Sequence, residues 1–136
     1  MPMTPNRIAA GLAALVFAVV GAWGLTASLD PALDPIGGAL LASTLGTNVV
    51  LAAVHLALAI LLAVGGIRGE WLARPLNVGV GAFLLVLGLF GLFVAGTPAN
   101  VFALNGAANV LHFAASSALL ATGLGAPRLD RVGPQG

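Results

Sequence analysis

Cysteine, lysine and tyrosine are absent from the 136 residues, and charge of either sign is scarce. Without cysteine there are no disulfides, no thiolate nucleophile and no cysteine-ligated metal site. Only 7% of residues are charged, against roughly 25% in a soluble domain, so most of the surface cannot face water. The five basic residues are all arginine and stand against four acids, a net charge of +1. That balance makes no basic patch able to hold nucleic acid. The bias toward arginine, alanine, leucine, valine and glycine suggests a bacterial source with a GC-rich genome.

What is present is apolar. Hydrophobic residues make up 60% of the chain, with a mean hydropathy of +1.09. Four runs, about 8–29, 45–67, 76–94 and 107–124, contain no Asp, Glu, Lys or Arg. Crossing a hydrocarbon core of about 30 Å takes about 20 residues of helix, and in lipid only helices or closed barrels satisfy their own backbone. The reading is an all-α, up-down bundle of four transmembrane helices, one domain over 1–136. The first run is too long for the apolar core of a cleaved signal peptide.

The breaks carry the orientation. Asp30-Pro31 and Asp34-Pro35 end the first helix, because proline disfavours helical geometry in the residue before it. Residues 36–44 hug the membrane surface or extend the second helix. Residues 68–75 form the second break, with Trp71 as an interfacial anchor, and Gly96-Thr97-Pro98 opens the third. Arg7, Arg68, Arg74, Arg128 and Arg131 all fall on one side of this topology. The positive-inside rule puts that side, and both termini, in the cytoplasm. The expected location is the inner (plasma) membrane, crossed several times, with a frayed tail from Ala126.

Two runs repeat a spacing. Asn48 and His55 are seven residues apart, and so are Asn105 and His112, with Asn109 between them. Seven residues are close to two turns, so each Asn shares a face with its His, about 10 Å away. Both helices run in the same direction, so the first and second hairpins look alike, as a parallel repeat about an axis normal to the membrane. In a sequential up-down square the second and fourth helices are diagonal, which aims both imidazoles at the centre. Polar residues in lipid are costly and stand as functional hypotheses by default. The structural reading makes Asn48, His55, Asn105, Asn109 and His112 one buried cluster that pairs helices.

The competing chemical reading is a bis-histidine haem b site on His55 and His112, with flanking alanines leaving room, although the outer half offers no basic residue to pair with propionates. A two-His zinc site lacks the third and fourth ligands that zinc takes. Gly79-Val-Gly81 follows no strand and is no dinucleotide fingerprint. Ser116 and Ser117 have His112 nearby but no acid, and are expected to bond back to the preceding turn. No catalytic residue and no resident metal is expected. Gly81, Gly88 and Ala95 recur every seven residues on the third helix as a seam for close packing.

The blocks LGTNVVLAAVHLALAILLAVGG and NVFALNGAANVLHFAASSALLATG resemble an uncharacterised bacterial four-helix membrane family, domain of unknown function 4383. Asn105, Asn109 and His112 match the run that opens its last helix, and His55 matches its earlier histidine. Where the family often carries a His-Asn pair, this chain has Thr47-Asn48. The resemblance implies the fold and topology and no activity. The function expected is non-enzymatic: a structural or accessory subunit whose partners are the bilayer and other membrane-protein subunits, met through helix faces. Haem-binding electron transfer is the alternative, and a small-molecule binding or permeation protein with an outer polar patch is a third reading.

Overall fold

The computed structural model describes residues 1–126. It contains helices α1 (Pro5–Ser28), α2 (Val49–Arg68), α3 (Glu70–Val94) and α4 (Gly106–Gly125), with strands β1 (Ala39–Leu41) and β2 (Leu45–Thr47) between α1 and α2. All four helices are long and apolar enough to cross a membrane. Arg128 and Arg131 lie outside the described residues, as does most of the tail.

The helix starts follow from capping. Thr4 accepts a hydrogen bond from the Arg7 backbone N–H, and Pro5 takes the first helical position, where its missing N–H costs nothing. Asn48 caps α2 by accepting from Leu51 N–H at 2.9 Å, and Asn105 caps α4 by accepting from Ala108 N–H at 3.0 Å.

Two boundaries differ from the expected ones. The second helix does not begin at 45, because Leu45–Thr47 pairs antiparallel with Ala39–Leu41 (Ala39 opposite Thr47, Leu41 opposite Leu45). The turn between them places Ala42 and Ser43 at φ 49° and 58°. That conformation is usually given to Asn or Gly in hairpins, so no turn signature was visible in the residues. The break expected at 68–75 is one residue, Gly69, at φ 114°, a conformation open only to glycine at little cost. Pro75 lies inside α3. Its lost bond to the Trp71 carbonyl falls near the exposed start of the helix, where Trp71 is 71% exposed.

The bundle is two hairpins, α1–α2 and α3–α4, each packed more closely within itself than against the other. Their buried positions coincide. Asn6, Ala10, Ala14, Phe17, Gly21 and Gly24 on α1 correspond, 67 positions on, to Ala73, Asn77, Gly81, Leu84, Gly88 and Gly91 on α3, all of them buried. Ala52, His55, Ala59 and Leu62 on α2 correspond, 57 positions on, to Asn109, His112, Ser116 and Leu119 on α4. The extra ten residues of the first hairpin fall in the α1–α2 connection, which holds β1 and β2.

Glycine sets the distance within each hairpin. A Cβ on Gly21 would lie 2.8 Å from Leu56 Cγ, and one on Gly88 would lie 2.9 Å from Phe113 Cε1. These contacts are equivalents in the two halves. At Gly21 the Leu56 backbone nitrogen is 3.0 Å from that position, and at Gly88 the Phe113 ring lies over the bare backbone; small residues permit such close approach where lipid gives no hydrophobic drive.

Candidate functional site

His55 and His112 meet on the axis that relates the hairpins. Their Nε2 atoms are 3.0 Å apart, and the rings are 1% and 0% exposed. Ring centroids lie 5.3 Å apart at 60°, and the Phe17 ring tilts against His55 at 5.2 Å. For two neutral imidazoles such a bond needs unlike tautomers: one ring donates from Nε2–H and the other accepts at Nε2 with its proton on Nδ1. Neither Nδ1 has a hydrogen-bond partner. The contact joins one hairpin to the other in the middle of the apolar bundle.

A second polar layer closes the end opposite the arginines. Asn48 donates from Nδ2 to the Val101 carbonyl at 2.8 Å, and Asn105 donates from Nδ2 to the Thr44 carbonyl at 2.8 Å. Thr44 and Val101 are themselves 57 positions apart, so the two bonds are images of each other, each running from one half to the other. Asn48 also reaches the Ile36 carbonyl, and Asn105 Oδ1 also accepts from Gly46 N–H.

The five polar residues therefore occupy two layers rather than one cluster: Asn48 with Asn105, and His55 with His112. Asn109 belongs to neither. It is 3% exposed, its Oδ1 has no partner, and it lies against Gly91, where any Cβ would overlap it.

The small-residue seam is also partly different. Gly81 faces Leu120 and Gly88 faces Phe113. Ala95 is exposed and ends α3 in an extended conformation, so it leaves the seam. A straight helix drifts about 20° per seven residues, and Gly91 is the residue that continues the contact. Ser117 bonds back to the Phe113 carbonyl as expected, but Ser116 donates across to the Gly81 carbonyl at 2.7 Å. The absent side chain of Gly81 brings that carbonyl within reach.

A third polar layer, at the arginine end, is not marked by any sequence spacing. Asn77 Nδ2 donates to the Asn6 carbonyl at 2.9 Å and to Asn6 Oδ1 at 3.1 Å, and Asn6 Nδ2 donates to Glu70 Oε1 at 2.7 Å. Thr4 Oγ1 donates to the other carboxylate oxygen of Glu70. Asn77 sits at the edge of an apolar run and Asn6 before one, so only their shared uncharged polarity at the same end could have suggested contact. Arg7 Nε donates to the Gly66 carbonyl at 2.8 Å, tying the start of α1 to the end of α2.

Among the described residues no three His, Cys, Asp or Glu side chains gather as a metal site. No curated protein and no solved structure matches the chain. The family described as Domain of unknown function (DUF4383) matches residues 7–125, nearly the whole sequence, and includes both histidine-bearing helices. The chain belongs to the DUF4383 family.

Proposed function

We propose that this protein is a non-enzymatic bundle of the plasma membrane, an accessory subunit that meets other membrane proteins through its helix faces. One observation carries the reading: interior polar side chains bond from one hairpin to the other. The His55–His112, Asn48–Val101, Asn105–Thr44 and Asn77–Asn6 contacts link the hairpins rather than converge on a reacting group. Interhelical bonds of this kind are worth about 0.6 kcal/mol each in membranes, up to about 1.7. The outer surface keeps large apolar side chains such as Leu12, Ile60, Val86 and Phe93 for lipid or a partner. Arginine segregation puts both termini in the cytoplasm.

The test is photo-crosslinking in the native membrane from Leu12, Ile60 and Phe93, followed by purification in mild detergent. A second membrane protein captured at fixed stoichiometry from one face is the expected result. Capture of lipid alone from all three faces, together with a stoichiometric chromophore, would overturn the subunit reading.

The haem reading fits the geometry less well. A metal bonded to two imidazoles on opposite sides, at about 2.0–2.1 Å each, holds their nitrogens about 4 Å apart. The two Nε2 atoms are at 3.0 Å and bonded to each other, with Phe17 packed on the His55 ring. A planar macrocycle would have to part the hairpins.

A further inference from the structure

We propose that one anionic glycerophospholipid binds at the arginine end of α3, its phosphate on Arg74 and its two acyl chains straddling the helix at Gly79. Two grooves flank α3 there. One, of about 520 Å³, runs along α3 and α4 and is lined by Arg74, Pro75, Val78, Gly79, Gly123 and Leu124. The other, of about 460 Å³, runs between α2 and α3 past Leu58, Leu61, Leu76 and Phe83. Gly79 lines both, and a Cβ placed on it would meet nothing within 4 Å. The helix is therefore a low saddle between two apolar channels. Arg74 stands five residues toward the membrane surface, about 7.5 Å along the axis.

Charge identifies the occupant. Apolar channels beneath a guanidinium match a lipid with a phosphate head and two chains, and basic pockets between transmembrane helices hold such heads. The carboxylate of Glu70 does not compete for Arg74, because Asn6 and Thr4 hold its two oxygens. Arg68 and Trp71, at the same end of the bundle, are exposed.

The internal repeat supplies a control. The equivalent of Arg74 is Arg7, whose guanidinium bonds the Gly66, Met1 and Pro2 carbonyls. The equivalent of Gly79 is Leu12, 62% exposed, which lines a groove of about 730 Å³ between α1 and α4. The two halves thus differ in the arginine and the glycine: Arg7 is held by backbone carbonyls, and Leu12 projects where Gly79 leaves the helix low. This inference needs the arginine end at headgroup level and is independent of any partner subunit.

The experiment is native mass spectrometry of the full chain released from nanodiscs of phosphatidylglycerol and phosphatidylcholine with matched chains. Wild type should retain one phosphatidylglycerol in preference to phosphatidylcholine. Arg74→Gln should lower that retention about fivefold, the effect of one basic residue at a membrane surface. Gly79→Leu should lower it comparably while melting at or above the wild-type temperature, because its position is open. Leu12→Ala should leave it unchanged. Equal retention of both lipids, or wild-type retention in Arg74→Gln or Gly79→Leu, overturns the proposal. So does competition by glycerol 3-phosphate as strong as by the lipid, which would make the site one for a soluble anion.

Discussion

Three helix-interior glycines differ in what their missing side chains face, and replacing each with alanine separates packing from backbone propensity. Alanine gains up to about 1 kcal/mol over glycine in a helix interior, and that gain is common to all three. At Gly79 the new Cβ meets nothing within 4 Å, so Gly79→Ala should be neutral or stabilising by up to that amount. At Gly21 it would lie 2.8 Å from Leu56 Cγ and 3.0 Å from the Leu56 backbone nitrogen. The side chain can rotate but the backbone cannot, so α1 and α2 must separate. Overpacking of this kind costs about 1–3 kcal/mol, and the difference between Gly21→Ala and Gly79→Ala reads that cost directly. Gly88→Ala should fall between them. Its Cβ would crowd the edge of the Phe113 ring at 2.9–3.1 Å, and that half-buried ring can pivot. Reversible unfolding in mixed micelles, titrated with a denaturing detergent, measures all three. Equal stabilities for Gly21→Ala and Gly79→Ala would refute the argument that glycine sets the α1–α2 distance.

The histidine contact should show coupling. His55→Ala and His112→Ala each remove the same bond, so the double variant should be less destabilised than the sum by about 0.6–1.7 kcal/mol; additive effects would mean that the rings do not interact. Asn48→Ala and Asn105→Ala should each cost about 1 kcal/mol from the lost cap, plus a cross-hairpin bond. A Gly substitution at either site, which spares most of the cap energy, should still lose the bond, and full recovery by Gly would confine the role of that Asn to its own helix.

The parts of the fold legible in the sequence are those that repeat at one helix's spacing. The uncharged runs delimit the four helices, and the seven-residue Asn-to-His spacing placed both histidines at one depth on one axis. The matching of α1 to α3 was hidden because its offset is 67 positions while that of α2 to α4 is 57. Its identities are sparse, among them Arg7 with Arg74, Gly21 with Gly88 and Gly24 with Gly91, while Asn6 stands against Ala73 and Ala10 against Asn77. The Asn6–Asn77 bond joins residues 71 apart and depends on the rotation of two helices that no local pattern fixes. The β-hairpin escaped because Ala42 and Ser43 hold left-handed conformations that their side chains do not favour. The seven-residue spacing extends the seam to Ala95, but α3 ends one residue earlier. Pro75 looked like a break because the sequence does not show that Gly69 already reverses the chain and leaves it within α3.

The central claim is that a histidine–histidine hydrogen bond on the repeat axis ties the two hairpins together. Solid-state NMR on imidazole-¹⁵N-labelled protein in bilayers tests it most directly. The account expects two unlike tautomers, one protonated at Nε2 and the other at Nδ1, with coupling across the bond between the two Nε2 atoms at the 3.0 Å seen here. Two like tautomers without that coupling, or nitrogen shifts typical of metal ligation at both rings, would contradict it.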